Sequence, residues 1–310
     1  MKSLFCFLLI VFSVCVFAQD YNIKNKDISV TLTETRPNNL VFSEISNLKT
    51  GKNMIVRPKA EDSLWMIEVR KGTDEATKLE LFPENADFMN VTKSKDTLKM
   101  VWENVKKGDM DNGFDVYATC RIKGIDSFWN IKIKTHSKDY SIWSVKYPNV
   151  TCIDAKDANV TYPLYGGMFD TNFHGYYEYA YPSIWYPMQW TFVTKGDTTL
   201  YMAAQDTKGK LKYFSGGDCG GQQMIFYVRN TPEYMGEAGH DYDQEYDFVL
   251  SPIEGDWYDA AKKCRKWGID SKFIPFSRGP METEQIFHSG SKNFLFGSVR
   301  KEWKILKLTK

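Results

Sequence analysis

The stretch Glu254-Gly-Asp-Trp-Tyr-Asp-Ala-Ala-Lys-Lys-Cys-Arg-Lys-Trp267 marks the point where the hydrophobic period of the chain changes from two residues to about 3.6. Asp256 stands where a helix N-cap is needed, and Asp259 three residues on supplies an acidic partner for the first turn. Lys262, Lys263, Arg265 and Lys266 load the later turns with positive charge, as the helix dipole favours, and Gly268 is the expected stop. Trp257, Ala260, Ala261, Cys264 and Trp267 fall on one face, so the helix must lie against something already folded. Taken alone, these residues read as a packing surface with no chemistry of their own.

Outward from that helix toward the N-terminus, the chain from Asp20 to about Pro252 is a succession of short alternating segments separated by Gly, Asn, Asp and Pro. Phe114 to Ile122, Trp129-Ile131-Ile133, Leu98-Met100-Trp102 and Met224-Phe226-Val228 show the pattern, with Lys, Thr, Ser, Asp or Arg mostly on the other phase. One buried face and one wet face is the mark of antiparallel sheets. Lys49-Thr-Gly-Lys52 and Asp111-Asn-Gly113 supply tight turns. The expectation is an all-β fold, a large antiparallel β-sandwich followed by one amphipathic helix and an irregular tail.

Composition agrees with one sizeable core: of 310 residues, 43% are hydrophobic and 15% aromatic. The formal net charge of +1 argues against a nucleic-acid partner. Residues 1–18 combine one lysine, an apolar run and small-residue spacing at Val16 and Ala18, the pattern of a secretory signal peptide. A secreted or periplasmic protein with no membrane attachment after cleavage is expected. Cys6 and Cys15 would leave with the signal. Cys120, Cys152, Cys219 and Cys264 are too widely spaced to form a disulfide framework, and Cys219, among glycines, is the one placed for exposure. The four histidines show no metal-ligand spacing, so neither metal nor cofactor is expected.

The segment Tyr162 to Trp190 reads as a long irregular loop, and such loops inside compact domains are usually functional or pinned at an interface. It concentrates Tyr177, Tyr179, Tyr181, Trp185, Tyr186 and Trp190, with His174 and Gln189 among them. Aromatic faces beside amides and carboxylates suit a sugar ring, whose C–H face stacks while its hydroxyls need donors and acceptors. These eight residues are the candidates for glycan binding or for contact with another domain. No residue is singled out as catalytic. Three readings stay open: a cleft-shaping companion of a catalytic domain, a stand-alone binding module stacking sugars on Trp185, Tyr186 and Trp190, and an epimerase using His174 with Asp170 or Glu178.

Three passages, Tyr181-Pro-Ser-Ile-Trp-Tyr-Pro-Met-Gln-Trp190, Leu200-Tyr-Met-Ala-Ala-Gln-Asp-Thr-Lys-Gly209 and the helix Gly255 to Trp267, together carry a resemblance. They resemble the N-terminal region of a family of large secreted bacterial glycoside-hydrolase-like proteins, catalogued as a domain of unknown function. The resemblance implies a galactose-mutarotase-like sandwich over residues 19–252, and a helix over 253–283 leading toward a (β/α)₈ barrel that would hold the catalytic carboxylates. A glycan partner is implied with it. Residues 284–310 are too few for a barrel. Back-translation of Thr283 to Lys292 can be read in another frame as Arg-Thr-Asp-Ile-Pro-Gln-Trp-Phe-Lys. The expectation is therefore a frame-shifted or disordered tail after Thr283.

Overall fold

The computed structural model describes residues 19–273 apart from residues 57, 60, 172 and 221; the expected signal peptide and the tail beyond residue 273 lie outside the described residues. Strands β1 (Gln19–Lys24), β2 (Ile28–Arg36), β3 (Asn39–Asn47) and β4 (Lys52–Asn53) form a four-stranded antiparallel sheet in that order. Next along the chain are β5 (Met66–Lys71), β6 (Leu79–Leu81), β7 (Phe88–Lys93), β8 (Thr97–Val105), β9 (Phe114–Lys123), β10 (Asp126–Thr135) and β11 (Tyr140–Asp154). Then come β12 (Asn159–Tyr162), β13 (Met168–Asp170), β14 (Tyr176–Tyr181), β15 (Trp190–Lys195) and β16 (Thr198–Ala204). The last strands are β17 (Lys212–Asp218), β18 (Gln223–Asn230), β19 (Tyr242–Asp243) and β20 (Phe248–Glu254), after which helix α1 spans Trp257–Asp270.

A ten-stranded sheet runs β13-β12-β15-β16-β20-β10-β9-β8-β7, with β19 also pairing β10, and a six-stranded sheet runs β14-β17-β18-β11-β5-β6. The pairings are antiparallel, as the alternation requires. The expected two-sheet sandwich is present, and the four N-terminal strands add a third sheet against it.

Side-chain alternation places the core. In β9, Phe114, Val116, Ala118, Cys120 and Ile122 point inward while Tyr117, Arg121 and Lys123 stay exposed. The sheets meet at Trp129 of β10, which is fully buried. Phe42 of β3 packs edge-on against it with ring centroids 4.8 Å apart, and Tyr147 of β11 reaches it from the six-stranded sheet at 6.5 Å. Its indole N–H donates to Ser127 Oγ at 2.9 Å, and that hydroxyl donates to the Leu250 carbonyl at 2.8 Å, so the polar edge of the ring is satisfied inside the core.

A second, smaller core lies on the outer face of the large sheet. Trp190 and Phe192 of β15, Tyr201 and Ala203 of β16, and Val249 and Ile253 of β20 are covered there by Ala260 and Ala261 of α1. Trp190 stacks on Phe192 at 4.2 Å, and Phe192 on Tyr201 at 5.4 Å. Small residues on the helix let its axis approach the rings, and β16 is buried along its whole length on both faces as a result. The Asp256 carboxylate accepts from the Tyr258 N–H at 2.8 Å, and Asp259 returns a bond to the Asp256 N–H at 3.1 Å, as the sequence indicates.

Gly268 does not end the helix, contrary to the sequence-based expectation. It is buried inside α1, and the chain leaves the helix at Ser271, followed by Lys272 at φ 57°. The segment Tyr162 to Trp190 is likewise more regular than its composition indicated: β13 and β14 lie within it, and Tyr177, Tyr179 and Tyr181 alternate along β14. No helix among the described residues is long and apolar enough to cross a membrane.

Replacing Trp129 with alanine removes the ring shared by three sheets and is expected to cost about 3–5 kcal/mol. Asp256→Ala, which removes a cap from a peripheral helix, is expected to cost about 1 kcal/mol. Chemical denaturation of both variants measures the ratio, and equal losses would contradict the central position of Trp129.

Candidate functional site

The aromatic segment folds most of its rings inward. Tyr177 stacks on Tyr162 at 4.7 Å, Tyr186 stacks on Phe214 at 5.1 Å, and Tyr179 lies parallel to Tyr186 at 6.3 Å. The Tyr186 hydroxyl donates to the Trp190 carbonyl at 2.9 Å and lies 2.8 Å from Thr191 Oγ1, which is also 3.0 Å from the Tyr177 hydroxyl. Burial pushes both phenols above their ordinary range. Gly216 makes this stack possible, because a Cβ there would lie 2.5 Å from the Tyr177 ring. Tyr177, Tyr181, Tyr186 and Trp190 are buried, so their ring faces are occupied by neighbours.

Trp185 is placed differently, at 50% exposure, and it is held in position by Tyr165, at 63%. The rings meet edge to face at 5.0 Å, and the Tyr165 N–H donates to the Trp185 carbonyl at 3.2 Å. Tyr165 adopts a left-handed backbone, φ 52° and ψ 30°, which costs a side chain of its size free energy. Ile184, the chain neighbour of Trp185, and Phe169 of β13 are also exposed, and the Phe169 ring meets Trp257 of α1 edge-on at 6.4 Å. Of the three rings of the expected stacking platform, the structure leaves Trp185 with an open face and adds Tyr165 as its partner.

Gln189 is buried in a polar knot. Its amide donates to the Asp206 carbonyl at 2.8 Å, and its oxygen accepts from Lys212 Nζ at 3.2 Å. Lys212 is fully buried, pairs with Asp206 at 2.6 Å, donates to the Lys210 carbonyl at 2.7 Å and lies over the rings of Tyr181 and Tyr246. Burial pulls its ammonium down to about 8 in spite of Asp206.

The expected acid–base partners are engaged elsewhere. His174 is exposed, with Nδ1 3.1 Å from Asp218 Oδ2. Burial raises the Glu178 carboxyl, but Arg229, Ser215 and Tyr176 bind its charged form and hold it below its ordinary value. A carboxylate accepting from a guanidinium and from hydroxyls at 2.8 and 3.0 Å is a poor proton acceptor.

A feature that the sequence did not indicate lies on the outer face of the large sheet, beyond the strands covered by α1. Tyr117, Arg121, Phe128, Asn130, Lys132 and Asp247 line an open pocket of about 340 Å³. Arg121 pairs with Asp247 at 3.2 Å and lies over the Phe128 ring at 5.1 Å, while Lys132 pairs with Asp243 at 2.7 Å. Burial raises the Asp247 carboxyl against the pull of Arg121. In the sequence these residues are the polar phase of alternating strands, a pattern shared with any wet sheet face, and no local signal separates them from it.

No family model matches the chain, and no curated protein matches it. Solved structures do resemble it in fold. An alpha-N-acetylgalactosaminidase from Bifidobacterium bifidum superposes with a TM-score of 0.55 at 10% identity, covering 81% of this chain and 38% of its own. An alpha-galactosidase from Lactobacillus brevis gives 0.53 at 6% identity, covering 80% and 41%. A galactose mutarotase related enzyme from Lactobacillus acidophilus gives 0.50 at 10% identity, covering 77% of this chain and 99% of its own. The fold is therefore a galactose-mutarotase-like β-sandwich, and the chain spans about two fifths of the two glycosidases.

Lys212→Met leaves the buried Asp206 carboxyl without its ammonium partner, held by the Lys208 and Lys210 N–H groups at 2.8 and 2.7 Å, with an expected loss of about 3–5 kcal/mol that the added change Asp206→Asn partly restores. Between pH 8 and 10.5 the unfolded chain keeps the Lys212 proton that the folded chain has lost, so this residue makes stability rise with pH across that window. Urea unfolding at several pH values is expected to show that rise in the parent protein and a flatter profile in Lys212→Met.

Proposed function

We propose that this chain is a carbohydrate-associated sandwich that does not cleave glycosides itself, and that it packs beside a second unit to shape a glycan cleft. The observation that carries this reading is the pair Trp185 and Tyr165, two exposed rings in edge-to-face contact, the Tyr165 ring carried on a strained backbone between β12 and β13. Exposed aromatic faces of this kind suit the C–H face of a sugar. The likeness to the sandwich portions of longer glycosidases supports the setting, and the engagement of Glu178 by Arg229 and of His174 by Asp218 supports a non-catalytic role for those residues. Secretion follows from the reading of residues 1–18 and belongs to the same proposal.

The pocket beside Asp247 favours a second reading, sugar anomerisation, because a half-buried carboxyl raised above its ordinary range beside an arginine is suited to proton transfer. The two readings separate in one experiment on the purified chain with galactose- and N-acetylgalactosamine-terminated oligosaccharides. Under the first, the sugars bind, Trp185→Ala and Tyr165→Ala each weaken binding by about fivefold, and galactose anomerises at the buffer rate. Anomerisation that disappears in Asp247→Asn would establish the second reading. Release of galactose from an aryl α-galactoside by the chain alone would overturn the first.

A further inference from the structure

The outer face of the six-stranded sheet carries a row of cations over aromatic rings. Arg70 lies 4.1 Å from the Trp143 ring centroid, Lys146 4.6 Å from that of Tyr227, and Arg229 3.9 Å from that of Tyr213. Two of the three also have carboxylate partners: Arg70 binds Glu68 and Glu75, and Arg229 binds Glu178. Lys78, on the same face, pairs with Glu68 at 3.5 Å and Glu80 at 3.4 Å. Lys146 stands directly opposite Arg229, between these two networks, and its ammonium makes no ion pair or hydrogen bond among the described residues. Burial pulls its ammonium below the ordinary lysine range, with Glu178 and Glu80 acting in the opposite sense. A half-buried ammonium resting on a ring face, with no acceptor of its own, is a position that an anion from outside completes.

The apolar half of a ligand site adjoins it. The Tyr227 ring under Lys146 ends in a hydroxyl 2.7 Å from that of Tyr176, whose own ring is 61% exposed. Gly217 sits opposite Tyr176 on β17 and keeps the neighbouring strand position bare, since a Cβ there would come within 3.1 Å of that ring. Both hydroxyls also lie within reach of Glu178 Oε2, at 3.0 Å from Tyr176 and 3.4 Å from Tyr227, so they are oriented by a carboxylate that Arg229 neutralises and keep lone pairs for an outside hydroxyl. An ammonium, two linked phenol hydroxyls and an open aromatic face thus lie side by side.

We infer that this face holds an acidic sugar, its carboxylate on Lys146, its hydroxyls on the Tyr176 and Tyr227 hydroxyls, and its C–H face on the Tyr176 ring. The inference rests on the carbohydrate setting of the proposed function and assigns it a second, charge-selective surface away from Trp185. A galacturonic acid tetrasaccharide and a neutral galactose tetrasaccharide, titrated calorimetrically into the full chain, test it. The acidic probe is expected to bind the tighter of the two, to lose about tenfold in affinity in Lys146→Met, to keep it in Lys146→Arg, and to weaken in Tyr176→Ala. Loss in Lys146→Met that Lys146→Arg does not restore would mark a packing role and overturn the inference. Equal binding of acidic and neutral probes, or full competition by inorganic phosphate at the same concentration, would overturn it as well. If the neutral probe binds through Trp185 while the acidic one ignores Lys146, the inference falls and the proposed function stands; if neither probe binds, both fall.

Discussion

The fold depends on one tryptophan. Trp129 receives Phe42 from the four-stranded sheet and Tyr147 from the six-stranded sheet, while its own strand occupies the middle of the ten-stranded one. Dispersion contacts from three directions converge on a single ring, and its N–H is answered by Ser127, whose hydroxyl is committed in turn to β20. The sheets therefore cannot slide over one another without breaking both the ring contacts and a buried hydrogen-bond chain.

From that fixed point, helix α1 decides which part of the large sheet stays wet. Where Ala260 and Ala261 lie on Tyr201 and Val249, the strands are dry on both faces; one strand further, Arg121, Lys132 and Asp247 face solvent. The same sheet thus carries a hydrophobic seat and a polar pocket, divided near Phe128, which touches both. The dry part anchors the element leading to the C-terminal residues, and the wet part and the aromatic margin stay open to solvent.

The strands β9 and β10 were legible because their period of two is unbroken, and α1 because its cap and small-residue face are local signals. Gly268 misled because the rule for helix ends is local, while the helix continues through this buried residue to Asp270. The inward turn of Tyr177, Tyr179 and Tyr181 was written in their alternation, but the density of aromatic residues around it hid the period. The pairing of His174 with Asp218, of Glu178 with Arg229, and of Trp185 with Tyr165 joins residues 20 to 51 positions apart in the chain, and no spacing rule reaches that distance. The pocket around Asp247 was illegible for the same reason, since β8, β9, β10 and the chain before β20 contribute to it separately.

Tyr165 carries a conformational cost at the aromatic margin. Its left-handed backbone is one that glycine adopts freely, and the two residues after it are glycines, Gly166 and Gly167. A chain drifting toward greater stability would replace the tyrosine by a third glycine and lose the ring. The ring and a relaxed backbone therefore exclude each other at position 165.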